Sequence, residues 1–198
     1  LTLQAPGGLV SIEAQCAGGK VTKVTVENLP SFAAQIDVTL NVPGLGDLKV
    51  DTAFGGDSFV IVDAADLGFA IQPHEAHQIV ELGLRITKAA NDQLGFYHPM
   101  QPEWQHISFC QIAGPLYREG EDLAGRNAVV IQPGKIDRSP CGTGVSARMA
   151  VLHAKGQMQV NEKLIGRSII NSRFEGQILG RTTVGGLDAI RPTISGQG

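Results

Sequence analysis

A cysteine at the start of a glycine-rich turn is the residue of this sequence best suited to chemistry. Cys141 lies in the run DRSPCGTG, residues 137–144, which leads into a segment of helical composition that ends near Lys155. A helix N-terminus offers backbone N–H groups without intrahelical acceptors and a positive dipole end. Both favour a thiolate, so we expect the pKa of Cys141 to lie below its usual value of about 8.5. The same N–H groups can hold a small carboxylate, which predicts a base beside an anion site.

An aspartate four residues earlier extends this pattern. Asp137 can return to the same side of the turn as Cys141, where its carboxylate would accept a hydrogen bond from a cationic amine. Pro140 would fix the turn, and Gly142 and Gly144 would let the backbone approach a ligand without a Cβ atom. Together these groups would recognise an α-amino acid whose Cα–H faces the cysteine.

A purely structural interpretation of the same residues remains open at this point. Asp137 and Ser139 would cap the helix, and Cys141 would be a small buried side chain, because buried cysteines are commoner than reactive ones. A serine hydrolase or a phosphate-binding loop is not indicated, since the sequence has no Gly-x-Ser-x-Gly and no Walker-type run.

The composition narrows the class of partner. The chain of 198 residues carries a net charge of −3, with 42% hydrophobic and 18% charged residues and no cluster of Lys and Arg. This balance argues against a nucleic acid or a membrane surface and favours a small-molecule partner. Cys16, Cys110 and Cys141 are too widely spaced for a disulfide framework or a zinc site, so free thiols in the cytoplasm are expected.

The periodicity predicts an α+β protein in which a sheet positions these residues. Alternating strands are expected within residues 1–15, 20–28, 35–42 and 48–54, and an almost continuous apolar strand at 58–62. An amphipathic helix at about 73–94 would cover the sheet. The helix at about 142–155 is apolar nearly all round, so it must be buried, enclosed by the sheet.

The segments between these elements are less regular. Residues 104–113 predict a strand that begins near His106, where this residue is either structural and partly exposed or projects into a site. Residues 116–125 are polar and predict a surface loop, and 165–179 a strand interrupted at Gly176. The paired glycines at 55–56 indicate a bulge or a close approach of the backbone, and a structural bulge is favoured.

The motif and several flanking runs resemble one family. DRSPCGTGVSARMA, residues 137–150, is similar to the second cysteine motif of the proline racemase family, which includes proline racemases, 4-hydroxyproline 2-epimerases and trans-3-hydroxyproline dehydratases. The likeness extends to APGGLVSIEA, GGDSF, HISF and GGLDAIRPTISG along nearly the whole chain. It implies the diaminopimelate-epimerase-like fold, in which each of two lobes wraps a mixed, mostly antiparallel sheet around a central helix.

The resemblance also implies a site and a reaction. The racemases and epimerases of this family invert Cα of the substrate without a cofactor, with one acid/base residue on each face, and Cys141 would be the second of the two. Asp137 would bind the ring nitrogen of proline or hydroxyproline, and the N–H groups of Gly142 and Thr143 would bind its carboxylate. His106 matches a family histidine that approaches the substrate. No metal is expected.

The family's first cysteine motif does not occur in this sequence, so we expect a missing N-terminal lobe to carry the other acid/base residue. Residues 1–10 would form a strand belonging to or leading from that lobe, 11–180 the second catalytic lobe, and 181–198 strands that return toward the first. The 198 residues alone are then expected to show no turnover. The family likeness is also consistent with a homodimer.

Three functions follow from these features. The cysteine at position 141 favours an epimerase or racemase acting on a proline derivative, with 4-hydroxyproline ahead of proline. The alternative is a lyase that removes water from trans-3-hydroxy-L-proline, which begins with the same abstraction of the α-proton. A third possibility, of another class, is a non-catalytic lobe that binds an amino acid. The residue in the absent first motif would separate the first two.

Overall fold

The computed structural model describes residues 1–197 as one continuous sheet with two α-helices. The helices are α1 (Ala76–Gln93) and α2 (Gly142–Ala154), and short 3-10 turns lie at Ala65–Leu67 and Pro73–Glu75. The strands are β1 (Thr2–Ala5), β2 (Gly8–Ala17), β3 (Lys20–Glu27), β4 (Phe32–Val42), β5 (Gly46–Phe54), β6 (Ser58–Asp63), β7 (Phe109–Ala113), β8 (Tyr117–Glu119), β9 (Asp122–Ile131), β10 (Lys135–Ile136), β11 (Lys163–Arg167), β12 (Arg173–Val184) and β13 (Leu187–Gly196).

The strand order explains how distant parts of the chain reach one site. The sheet runs β1-β2-β3-β13-β12-β11-β9-β7-β6-β5-β4, and β8 and β10 pair with β9. Two pairs, β11 with β9 and β6 with β7, are parallel, and the remaining pairs are antiparallel. The predicted α+β class with a mixed, mostly antiparallel sheet is therefore confirmed.

Helix α2 is enclosed by the sheet, as its all-round apolar sequence predicts. Its residues are buried from Gly144 to Leu152, and it packs against β4, β5, β6, β11, β12 and β13. Val145 and Met149 face one apolar cluster together with side chains of β12 and β13, whereas Ala147 and Val151 face another with side chains of β5, β6 and β9. Because both sides of the helix meet strands, it is buried from Gly144 onward, while Gly142 and Thr143 at its start remain partly exposed.

A buried arginine ties the middle of α2 to the sheet. The Arg148 side chain donates hydrogen bonds to the backbone oxygens of Arg126, at 3.0 Å, and Gly114, and to Asn127 Oδ1 at 2.6 Å. Burial lowers the pKa of Arg148 to about 10, an effect that the charge of Asp63 opposes. Within residues 1–197 no carboxylate lies within 4 Å of this guanidinium. Its positive charge is therefore solvated by carbonyl and amide oxygens.

Helix α1 covers the outer face of the sheet, as predicted for residues 73–94. Pro73 opens a 3-10 turn before the helix, and the Glu75 carboxylate accepts the N–H of Gln72 at 2.7 Å. Ile79 and Ile86 point into the largest apolar cluster, against β4, β7 and β9. Among residues 1–197, neither helix is long and apolar enough to cross a membrane.

Three local predictions were wrong. The strand expected at 104–113 begins only at Phe109, because the residues before it form a bend. The loop expected at 116–125 contains β8 and the start of β9, which pair with each other across a tight turn. Gly176 does not interrupt a strand but lies within β12, where a methyl group would be 2.8 Å from Met149 Sδ. The glycine is explained by the close approach of α2.

The expected division of the chain cuts through this sheet. The boundary between residues 10 and 11 lies within β2, and that between 180 and 181 lies within β12. Strands β1, β2 and β3 have largely exposed side chains, in contrast to β5, β6 and β7. The division into segments stays a prediction.

Replacing Gly83 by alanine should destabilise the fold although alanine is the better helix former. A methyl group there would lie 2.5 Å from Val130 Cγ2, so α1 would be pushed away from β9. Overpacking of this kind costs about 1–3 kcal/mol, more than the propensity gain of about 1 kcal/mol. Urea unfolding measures the change, and Gly180→Ala, where a methyl group meets no atom within 4 Å, is the control. In the double variant with Val130→Ala, the loss of stability should be smaller than the sum of the losses in the two single variants. An unchanged or raised stability for Gly83→Ala alone would contradict this packing.

Candidate active site

The turn before α2 is built from short polar side chains. The Asp137 carboxylate accepts the N–H of Ser139 at 2.8 Å, and the Ser139 hydroxyl accepts the N–H of Cys141 at 3.1 Å. Cys141 has φ 64° and ψ 109°, a conformation that non-glycine residues rarely adopt and that costs about 1–3 kcal/mol. The surrounding hydrogen bonds hold the cysteine in this strained position, and strain of this type is concentrated at functional sites.

The start of α2 has no side-chain cap, so the capping role considered for Asp137 and Ser139 is wrong. Both side chains hold the turn instead. The first intrahelical hydrogen bond runs from the N–H of Val145 to the oxygen of Cys141, at 2.8 Å. The N–H groups of Gly142 and Thr143 precede it, and an α-helix gives such groups no acceptor of its own. They are free to bind an anion at the helix N-terminus.

The Cys141 thiol has a different acidity from the one predicted. Burial raises its pKa to about 11, while hydrogen bonds from the Thr143 side chain and the Gly144 N–H act in the opposite direction. The negative charges of Asp137 and Asp57 raise it further. The prediction of a lowered pKa was wrong, because the loss of solvent outweighs the helix N-terminus in a site enclosed by the sheet. Thr143 Oγ1 lies 3.4 Å from Cys141 Sγ.

The paired glycines bring a second acidic residue to the thiol. Gly55, Gly56 and Asp57 form the turn between β5 and β6, whose pairing is regular up to the turn. A Cβ atom on Gly55 would overlap the backbone oxygen of Thr143, so these glycines allow close approach to α2 and are not a bulge. The Asp57 carboxylate accepts the N–H of Ser58 at 2.7 Å, and burial raises its pKa. In the sequence Asp57 belongs to the GGDSF run that carries the family resemblance, and no role was assigned to it.

His106 lies next to this turn and is exposed. It occupies the bend before β7, and its ring is stacked on Trp104 with 6.1 Å between the ring centroids. Its backbone oxygen accepts the hydroxyl of Ser58 at 2.7 Å, and its charge lowers the pKa of Asp57. The structure therefore places His106 beside Ser58 and Asp57.

A cavity of about 370 Å³ opens at the start of α2. Its polar lining comes from Gly142, Thr143 and Asn28, and its apolar lining from β3, β12 and β13, namely Val24, Val26, Phe174 and Ile194. Asp137 and Ser139 line a neighbouring depression that shares Phe174 with this cavity. Thr143 joins the cavity to the thiol, because its hydroxyl lies 3.4 Å from Cys141 Sγ, whereas Cys141 itself lines neither space and Asp137 lines only the neighbouring one.

Two polar residues at the site carry no sequence motif. Asn28 follows β3, and its amide donates to the backbone oxygen of Gly55 at 2.8 Å and to Ser146 Oγ at 2.9 Å, which joins β3 to the turn and to α2. Gln111 lies in β7 and is fully buried beside α2. A glutamine inside the apolar run FCQIA was the signal for it in the sequence. Nothing comparable pointed to Asn28.

The other two thiols lie away from this site. Cys110 is fully buried in the apolar cluster beneath α1, where burial raises its pKa, and Cys16 is exposed on β2. Across residues 1–197, no three His, Cys, Asp or Glu side chains come together as metal ligands would. Of the three thiols, that of Cys141 is the one at the start of α2.

Comparison with known proteins gives a consistent result. A family model described as proline racemase matches residues 1–198. The crystal structure of a hydroxyproline epimerase from Agrobacterium vitis with bound trans-4-hydroxy-L-proline shares 36% identity and a TM-score of 0.91 over 100% of this chain and 56% of that one. A probable proline racemase from Agrobacterium radiobacter with bound carbonate shares 35% identity and a TM-score of 0.92, over 100% and 57%.

A more distant similarity concerns the fold alone. The structure of a methylitaconate-delta-isomerase shares 10% identity and a TM-score of 0.51, over 96% of this chain and 61% of that one. The chain spans just over half of the length of the two Agrobacterium proteins, 56% and 57%. Both of those proteins are therefore longer than the 198 residues of this sequence, and their activities are those of the longer chains.

Removing the charge of Asp57 should make Cys141 more acidic. The Asp57→Asn side chain keeps the oxygen that accepts the Ser58 N–H, while the negative charge that raises the pKa of Cys141 is lost. The pH profile of Cys141 alkylation by iodoacetamide should move to lower pH, because the thiolate is the reacting form. Asp63→Asn, at the opposite end of β6, is the matched control. A profile that stays in place or moves to higher pH would contradict the assigned electrostatics.

Proposed function

The chain belongs to the proline racemase family, and we propose that it forms one half of a site that inverts Cα of a proline derivative, with 4-hydroxyproline ahead of proline. The observation that carries this proposal is the placement of the Cys141 thiol beside the N–H groups that begin α2. The strained backbone of Cys141 supports it, because a conformation of this kind is costly and is concentrated at functional sites.

In this proposal the Cys141 thiolate removes the α-proton of the substrate. The electron pair of the broken C–H bond stays on Cα, and a second group delivers a proton to the opposite face. Burial and two nearby carboxylates keep the thiol protonated in the empty site. A substrate that brings a cationic ring nitrogen into this space would favour the thiolate, since an opposite charge at close range stabilises the charged form. Binding and activation of the base are thereby coupled.

The remaining predicted residues would orient the substrate. The N–H groups of Gly142 and Thr143 would bind its carboxylate at the positive end of α2. One oxygen of Asp137 accepts the Ser139 N–H, which leaves the other oxygen for the ring nitrogen. His106 would approach the substrate from the side of Asp57. These roles stay proposals that substitution can test.

The choice of 4-hydroxyproline is supported by one relative. The Agrobacterium vitis protein is described as a hydroxyproline epimerase and holds trans-4-hydroxy-L-proline. Identity of 36% with full coverage of this chain favours the same class of substrate here. The cavity at the start of α2 has polar groups from Asn28 and Thr143 beside apolar walls, a combination that suits a small ring bearing a hydroxyl.

The second acid/base group would come from outside these 198 residues. Inversion needs groups on opposite faces of Cα, whereas Cys110 is buried in a separate cluster and Cys16 lies on an exposed strand. We therefore propose that another lobe completes the site against the lobe formed by residues 11–180, with 1–10 and 181–198 joining the two. A cytoplasmic location and a homodimer complete this proposal.

Replacing Cys141 by alanine in the full-length protein should abolish exchange of the substrate α-proton in heavy water. Loss of a general acid/base residue lowers the rate by about 10²–10⁴-fold. Nuclear magnetic resonance follows both the exchange and the configuration of the product, and Cys16→Ala is the control that should leave the rate unchanged. Exchange with inversion identifies an epimerase, whereas a product that has lost water identifies the dehydratase. Activity retained in Cys141→Ala would refute the role of the thiol.

The 198 residues by themselves should show no inversion of 4-hydroxyproline or proline, because a single acid/base residue cannot serve both faces of Cα. Polarimetry or chiral chromatography over long incubation detects even slow turnover. Addition of the full-length protein to the same substrate is the positive control. Turnover by the 198 residues would contradict the proposal, and binding without exchange in the full-length protein would favour a non-catalytic amino-acid-binding lobe.

A further inference from the structure

A fully buried glutamine beside the site has no partner. Gln111 has 0% of its side chain exposed, and neither Nε2 nor Oε1 has a hydrogen-bond partner among residues 1–197. Asn127 Nδ2 shares this property, but the Asn127 oxygen accepts a hydrogen bond from Arg148. Buried polar groups without partners are rare and destabilising in folded proteins, so a glutamine with both ends unpaired calls for another explanation.

The Gln111 amide lies near the start of α2, beside Gly144. In the sheet Gln111 lies between Ile61 of β6 and Val129 of β9, which face α2 in one apolar cluster. A methyl group on Gly144 would be 3.2 Å from Gln111 Oε1 and 3.3 Å from Cys141 Cβ. The amide and the cysteine therefore flank the same small gap. The gap exists because residue 144 has no side chain.

An amide suits a partner that changes its protonation state. It carries a donor and an acceptor, and a half-turn about its last side-chain bond exchanges their positions. The oxygen of Gln111 can accept the S–H of a thiol, and its N–H can donate to a thiolate. Cys141 must pass through both forms if it serves as an acid and a base in one reaction cycle.

The charges around the thiol make a neutral donor valuable. Asp57 approaches Cys141 from the turn between β5 and β6, and Asp137 from the turn before α2. Both are negative, and the charge of His106 acts on Asp57. The side chain of Thr143 and the N–H of Gly144 are the hydrogen-bonding groups already in contact with the sulfur. The amide oxygen of Gln111 lies close to Gly144, whose N–H is one of these groups.

We propose that Gln111 is a positioning residue whose side-chain N–H turns toward Cys141 Sγ and stabilises the thiolate. The proposal rests on the proposed role of Cys141 and extends it to the face of the helix that is turned away from the cavity. It accounts for an unpaired amide in an apolar cluster, because the partner of the amide is the charged form of the cysteine.

The variant Gln111→Met tests this inference, since methionine keeps the length of the side chain and removes both hydrogen-bonding groups. The alkylation profile of Cys141 with iodoacetamide should move up by about one pH unit, which is about tenfold slower alkylation at a fixed pH below the pKa. Mass spectrometry of the tryptic peptide 139–148 isolates Cys141 from the other thiols. The melting temperature should rise or stay constant, because an unpaired buried amide is removed.

The control is Ile61→Met, which alters the packing of the same cluster without touching a hydrogen-bonding group. It should leave the alkylation profile in place. A second variant, Gln111→Leu, should move the profile in the same direction as Gln111→Met. An unchanged profile in both Gln111 variants, or an equal shift in Ile61→Met, would overturn the inference. A fall in melting temperature without a shift would show a structural residue instead.

The alkylation assay does not depend on turnover, so it separates this inference from the proposed function. If Cys141→Ala keeps its activity while Gln111→Met shifts the profile, the contact between glutamine and cysteine stands and the catalytic role fails. If Cys141→Ala is inactive and the profile is unmoved, the catalytic role stands and the inference about Gln111 fails.

Discussion

The enclosure of α2 by the sheet is the constraint on which the rest of this structure depends. An apolar helix surrounded by strands has its N-terminus in a region of low dielectric, where partial charges on N–H groups act strongly. The same enclosure removes solvent from the Cys141 thiol and raises its pKa to about 11. One packing arrangement therefore creates an anion site and at the same time disfavours the thiolate form of the cysteine beside it. In the proposed function, the carboxylate of the substrate would bind at the anion site and its cationic amine would favour the thiolate.

Much of the fold follows from the sequence because its determinants are local. The apolar composition of α2 and the amphipathic pattern of α1 can each be recognised within a short window of the sequence, because they involve residues that are close together along the chain. The errors concern features that depend on distant neighbours. The segment 116–125 is strand because β8 and β9 pair with each other and β9 is held by β7 and β11 as well. Gly176 has its reason in Met149, which lies on another element.

The site shows the same division between local and distant causes. Cys141 and its turn were evident from the spacing of residues in one short motif, and the order of elements placed them at a helix start. The direction of the pKa shift of the thiol was not evident from the sequence. It depends on how the sheet covers the turn and on Asp57, which is 84 positions away along the chain. Asn28 and Gln111 reach the site only because the sheet brings β3 beside β13 and β7 beside β6 and β9.

The buried arginine fixes the position of α2, and with it that of Cys141, relative to the sheet. Arg148 lies seven residues after Cys141, so its Cα is roughly 10 Å further along the axis of α2 at 1.5 Å per residue. Its hydrogen bonds go to oxygens of Gly114, Arg126 and Asn127, all on the sheet side. A helix held in this way cannot slide by a turn without leaving a buried charge unsolvated. The hydrogen bonds of Arg148 in the middle of the helix thus fix how deep the thiol lies in the molecule, although they are far from any atom that would meet the substrate.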